Sequence, residues 1–288
     1  MKIIFFTLFT ILLLLVITWQ FPTEKPIKKE ITKEIIKNQY EIPRTLRYSF
    51  NLKNTGNQLI KKAEFWTQAP VKQTATQKVI QIKTSHPYKI LTDNLDNQTL
   101  HFELTNIPPY ATRQINITTE LKLSQTTNPT PKKLEYLKEE PLIQISHPDI
   151  QSVAKKLKNN KKPLATTEKI YKWVAKHIQY AGYIAENRGA LYALHQKRGD
   201  CTEYMYLFTA LARANGIPAR GIAGYIYKKD SILKPQDYHN WAEFYLDGKW
   251  HLVDPQNNVF MEKQSDYIVM QILSSKEKTS RFWASDER

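Results

Sequence analysis

His239-Asn240-Trp241-Ala242-Glu243-Phe244-Tyr245-Leu246-Asp247-Gly248-Lys249-Trp250-His251-Leu252-Val253-Asp254 is the stretch on which the reading of this chain turns. Asp247-Gly248 is a strong type I′ turn signal, and the runs on either side are rich in strand-forming residues, so a hairpin is predicted. A two-residue loop fixes its register. Leu246 opposes Lys249, Tyr245 opposes Trp250, and Trp241 opposes Asp254. Side chains alternate along a strand, so His239 shares a face with Trp241 and lies diagonally next to Asp254. Diagonal neighbours are about 7–8 Å apart at the backbone, within reach of an imidazole and a carboxylate. Such a pair suits catalysis: the carboxylate holds one ring nitrogen and sets the tautomer, and the other nitrogen moves a proton. Singly, each residue has a plainer reading, His239 as a strand-end histidine and Asp254 as the start of a turn with Pro255. Trp241 is expected either to shield the pair from water or to contact substrate.

The base needs a nucleophile, and the chain has one cysteine. In Gly199-Asp200-Cys201-Thr202-Glu203, Asp200 is an N-cap and Glu203 has the capping-box spacing. The predicted helix runs through Tyr204, Phe208 and Leu211 and stops at Asn215-Gly216, before Pro218. Cys201 is then the first helical residue, where free N–H groups and the positive end of the helix dipole favour negative charge. A small thiol buried at a helix start is the alternative. With His239 and Asp254 in the same half of the chain, a Cys201-His239-Asp254 nucleophilic site is the preferred account.

These residues carry a resemblance. Gly199-Asp200-Cys201, the helix into Asn215-Gly216-Ile217-Pro218-Ala219-Arg220, the strand Gly221-Ile222-Ala223-Gly224-Tyr225, His239-Asn240-Trp241 and Trp250-His251-Leu252-Val253-Asp254-Pro255 resemble the core of the transglutaminase-like superfamily, over residues 165–273. The resemblance implies a papain-like α+β core with Cys201 as nucleophile, His239 as base and Asp254 as orienting acid, working through a thioester. Asp266-Tyr267-Ile268-Val269-Met270-Gln271-Ile272 resembles the family's closing strand, and the region before the core resembles the β-domain of many bacterial members.

Upstream, Leu46–Leu52, Val79–Ile82, Leu100–Leu104 and Ile115–Leu121 alternate as strands between Asn, Asp, Gly and Pro turns. The division expected is a signal anchor or signal peptide at 1–21, a charged spacer at 22–39, an antiparallel β-sandwich domain at 40–130 and a transglutaminase-like catalytic domain at 131–288. Ser124 to Pro131 reads as a linker. Ile3 to Ile17 is apolar apart from Thr7 and Thr10, and no small-residue cleavage site follows it, so an uncleaved anchor is favoured over a cleaved signal. The expected location is membrane-anchored and extracytoplasmic, with cleavage and export as the second choice.

One cysteine excludes an internal disulfide framework and any multi-cysteine metal site, and no cofactor or metal motif is present. The formal net charge of +15 is concentrated in residues 22–165, which carry 24 Lys and Arg against 13 Asp and Glu. No nucleic-acid-binding signature accompanies it, so no nucleic acid is expected; a solvated face or an anionic cell-envelope polymer fits better. The sequence thus points to a thiol-dependent enzyme acting on a peptide or protein substrate, by hydrolysis or by transamidation. The alternative is a catalytically idle binding or scaffold protein that keeps the fold and grips the cell envelope.

Overall fold

The computed structural model describes residues 39–131, 134–274 and 281–287. The expected anchor at 1–21, and the spacer at 22–39 except its last residue, lie outside the described residues. Among the described residues no helix is long and apolar enough to cross a membrane.

The first half builds β1 (Ile42–Lys53), β2 (Ile60–Ala69), β3 (Gln77–Thr84), β4 (Lys89–Thr92), β5 (Gln98–Ile107) and β6 (Thr112–Leu123). The second supplies α1 (Pro148–Leu157), α2 (Pro163–His177), β7 (Gln179–Tyr180), α3 (Gly189–Gln196), β8 (Arg198–Gly199), α4 (Cys201–Ala214) and β9 (Ala219–Ile226). It continues with β10 (Ser231–Ile232), β11 (Tyr238–Leu246), β12 (Lys249–Asp254), β13 (Val259–Phe260), β14 (Tyr267–Ile272) and β15 (Phe282–Glu287).

Two four-stranded sheets, ordered β10-β1-β6-β3 and β15-β2-β5-β4, enclose a core of Leu46, Phe65, Leu100, Phe102, Ile115 and Ile117. Alternation explains the packing: in β1, Leu46 and Tyr48 point inward while Arg47 and Ser49 do not. Each sheet takes an edge strand from the distant half of the chain. β10 pairs in parallel with β1, and β15 pairs antiparallel with β2 through Trp283↔Trp66 and Ser285↔Glu64. Phe282–Glu287, expected with the 131–288 segment, therefore returns to the first sheets and covers an edge that β2 would otherwise expose.

A five-stranded antiparallel sheet is ordered β13-β12-β11-β9-β14, and β7 and β8 form a separate parallel pair. Helix α4 packs Met205, Phe208 and Leu211 into one core with Phe244, Ala242 and Val253. The opposite face buries Trp241, Trp250 and Tyr267 against Val71, Ala75 and Tyr136. Gly224 lets β9 and β14 approach: a Cβ there would stand 1.9 Å from the Ile268 carbonyl oxygen and 2.8 Å from the Trp241 ring.

The segment at 124–131 is not a loose linker. Ser124 and Asn128 are buried, the Ser124 N–H donates to the Thr76 carbonyl, and both the backbone and side-chain amides of Asn128 donate to the Ala75 carbonyl. Its polar composition, read as a linker signal, serves these buried bonds.

The outer edge of β14 meets the first half directly. Val71 N–H donates to the Val269 carbonyl at 3.0 Å. Gln77 acts as a piece of strand: its Nε2 donates to the Val71 and Val269 carbonyls at 2.7 and 2.9 Å, and its Oε1 accepts from Val269 N–H at 2.8 Å. Asn97 does the same at Ile272, donating at 3.0 Å and accepting at 2.6 Å. Buried backbone groups that lack a neighbouring strand are satisfied by amide side chains.

Candidate active site

Helix α4 begins as its sequence predicts. Asp200 Oδ1 accepts from Thr202 N–H at 2.8 Å, and Glu203 Oε2 accepts from Asp200 N–H at 3.1 Å, completing the capping box. Both acids have a second task. Asp200 Oδ2 accepts from Ile184 N–H and Glu203 Oε1 from Arg188 N–H, each at 2.9 Å, so the cap also fixes the loop before α3. Burial raises the Glu203 pKa and the neighbouring Asp200 carboxylate adds to the rise, more than the Arg188 and Asp200 backbone donors offset. Gly199 makes room for the cap, since a Cβ there would stand 2.3 Å from the Glu203 Cβ. The result is a rigid helix start that presents Cys201 in a half-buried position.

The hairpin has the register read from its turn. Leu246↔Lys249, Tyr245↔Trp250, Phe244↔His251, Glu243↔Leu252 and Ala242↔Val253 are paired. His239 and Asp254 meet: the ring Nε2–H donates to Asp254 Oδ2 at 2.7 Å. The same oxygen accepts from Tyr267 Oη at 2.9 Å and from Asn257 Nδ2 at 2.8 Å. Asn257 N–H adds a 3.3 Å bond to Oδ1. Asp254 is 1% exposed, so its charge is held by these donors and not by water.

The electrostatics follow from the contacts. Burial works to lower the His239 pKa, but the hydrogen bonds to Asp254 and to Cys201, and the charges of both, raise it to about 9. Burial works to raise the Asp254 pKa, yet His239, Asn257 and Tyr267 bring it below the usual carboxylate value. Tyr267 is pushed well above the usual phenol range by its burial and then by the Asp254 charge, so it stays a donor. His239 therefore touches Asp254 through Nε2, and Cys201 is among the groups that raise its pKa.

Trp241 is fully buried, its ring 6.3 Å from the His239 ring and inclined to it by 20°. Asn240, on the opposite strand face, donates to Thr202 Oγ1 at 2.8 Å and ties the hairpin to the helix start. Of the tyrosines before the helix start, Tyr180 and Tyr183 are 59% and 84% exposed, and Tyr192 lies under the Arg188 guanidinium. Asn257 and Tyr267 are the site residues that the sequence did not single out. Asn257 follows Asp254-Pro255 and had only its turn position as a signal. On the outer face of the sandwich, Glu64, His101 and Glu103 bring ligand atoms within 4.8 Å of one another, but their carboxylates are already paired with Lys62 and Lys89.

The comparisons with known proteins fall on the same region. Residues 151–255, just over a third of the chain, match the family model described as the transglutaminase-like superfamily. An uncharacterized protein of Mycobacterium leprae (strain TN) is 28% identical over 120 residues, 40% of this chain and 43% of the relative. Kyphoscoliosis peptidase of Homo sapiens is 27% identical over 122 residues, 39% of this chain and 16% of the relative. The chain thus spans less than half the length of these relatives. Among solved structures, the "Putative Cysteine Protease" of Cytophaga hutchinsonii superposes with a TM-score of 0.59 at 18% identity, covering 83% of this chain and 86% of the other. That likeness takes in the strands before the core and concerns the fold alone. Over residues 151–255 this chain is similar to the transglutaminase-like superfamily.

Proposed function

We propose that the chain is a cysteine-dependent amide hydrolase or acyltransferase acting on peptide or glutamine-type amides. The observation that carries this reading is the His239 ring, bound to the buried Asp254 and held above its usual pKa by Asp254 and Cys201 together. In the proposed reaction the Cys201 thiol passes its proton to the free His239 nitrogen and Sγ attacks the amide carbonyl carbon. The tetrahedral adduct collapses to a thioester as the C–N bond breaks, and the imidazolium gives its proton to the departing nitrogen. Water or a second amine then attacks the thioester carbonyl, losing its proton to His239, and the cysteine is released. Asp254 holds the tautomer and stabilises the imidazolium throughout. Asn257, Tyr267 and Trp241 act through that pair as positioning residues.

The test is turnover of amide substrates by wild type and Cys201→Ala, with ammonia and peptide products quantified separately. Loss of turnover to background in the variant is expected; product formation that survives it would defeat the proposal. Adding a primary amine then separates the two fates of the thioester, because a transamidase forms the amine adduct and a hydrolase only the acid.

A further inference from the structure

Beside the site lies a cavity of about 110 Å³, lined by Tyr48, Phe50 and Gln68 of the sandwich and by Tyr225, Tyr238 and Arg281. Arg281 is the one charged residue in the lining. Its guanidinium lies 4.5 Å from the centre of the Tyr238 ring, and one Nη donates to the Pro235 carbonyl at 3.4 Å. The two buried arginines of this half have carboxylate partners: Arg213 with Glu140 and Arg220 with Glu243, both at 2.7 Å. Arg281, half-buried among aromatic rings, makes no ion pair among the described residues. Asp237 is near enough to influence Tyr225, whose hydroxyl also takes one of the guanidinium's hydrogen bonds. A guanidinium at an apolar cavity with donors to spare suits a planar anion.

The cavity is next to the nucleophile. Tyr238 directly precedes His239, and it shares a strand face with Asn240, which is bonded to Thr202, the neighbour of Cys201. The Cys201 charge is also felt at the Tyr238 hydroxyl. We propose that this cavity is a substrate subsite, and that Arg281 selects substrates bearing a carboxylate close to the reacting amide. The carboxylate is either an acidic side chain or a free chain terminus. The sandwich then helps to choose substrate, since Tyr48, Phe50 and Gln68 form one wall. This inference rests on the reading of Cys201 as the nucleophile.

The experiment compares blocked pentapeptides carrying Glu, Gln or Ala at each position in turn, and a set with a free C-terminal carboxylate. Two readouts are taken: kcat/KM with wild type, and Kd by calorimetry with Cys201→Ser, which needs no turnover. At one position or at the free terminus, the carboxylate peptide should be favoured over its neutral counterpart by about tenfold. In Arg281→Gln that ratio should fall towards one, while Arg281→Lys should keep part of it. The wild-type Glu-to-Gln ratio decides without any variant, in case Arg281→Gln does not fold. Equal treatment of acidic and neutral peptides, or a preference that persists in Arg281→Gln, overturns the subsite. Turnover of neutral amides without acid preference would remove the subsite and leave the chemistry. Selective binding of acidic peptides without cysteine-dependent turnover would do the reverse, and no binding together with no turnover would remove both.

Discussion

Three donors converge on one oxygen of Asp254, from His239, Asn257 and Tyr267, and at the scale of the residue this oxygen organises the site. Asp254→Asn should keep the packing but weaken the hold on the His239 tautomer, lowering kcat by about 10²–10⁴ with a smaller change in KM; steady-state kinetics checks this. Tyr267→Phe removes a single hydrogen bond to a buried charge, worth roughly 1.5–3 kcal/mol, and chemical denaturation would measure that loss. The pH dependence has a defined sign. His239 is raised in the fold, so its contribution to stability is complete below its unfolded pKa of about 6.5 and is lost as pH rises through about 9. Asp254 is lowered, so its contribution is present above about 3.9 and is lost as pH falls through its folded value. Melting temperature should therefore fall between pH 6.5 and 9 in wild type and be flatter there in His239→Gln. His239 and Asp254 were legible because an Asp-Gly turn sets the register by counting. Tyr267 was not: it lies on β14, which reaches Asp254 only through β9 and β11 and the fold of the whole sheet.

The helix start and the hairpin divide the work of placing the site. Helix α4 was legible at both ends because its signals are local: Asp200 and Glu203 at the beginning, Asn215-Gly216 at the close. Gly199 is different. Nothing in the sequence distinguishes it from a turn glycine, yet its missing Cβ is what lets Glu203 fold back over the helix start. Gly199→Ala should push Glu203 aside, uncap the helix and cost about 1–3 kcal/mol. Because the same carboxylates hold the Ile184 and Arg188 amides, the 181–188 loop should gain faster amide exchange in the variant, which hydrogen-exchange mass spectrometry would detect. Strand β2 and the four-residue β4 were the elements missed in the first half, and β2 is the longer of them. Its apolar residues Ile60, Ala63 and Phe65 depart from strict alternation near its start, and its last residues are buried on both faces, so a period of two is faint. β15 was misplaced for another reason, since strand order within a sheet does not follow chain order.

At the scale of the molecule, the sandwich and the catalytic sheet are joined by amide side chains that span most of the sequence. Gln77 and Val269 are 192 residues apart, a pairing that no local pattern reveals. Gln77→Ala would leave the Val71 carbonyl and the Val269 N–H without this partner and take one of two donors from the Val269 carbonyl; a loss of roughly 2–5 kcal/mol is expected in denaturant titration, more than most single substitutions cause. The same join governs what can be cut from the protein. A fragment of residues 131–288 would carry every proposed catalytic side chain, but β14 would lose its covering. Val269 and Ile272 would offer unpaired backbone groups along an open strand, and Ile268 and Met270, which pack into the sandwich core, would be bared beside them. Such an edge is a template for other chains. Anyone trimming this protein to its proposed chemistry would be making a seed for aggregation, and the part worth expressing includes the sandwich.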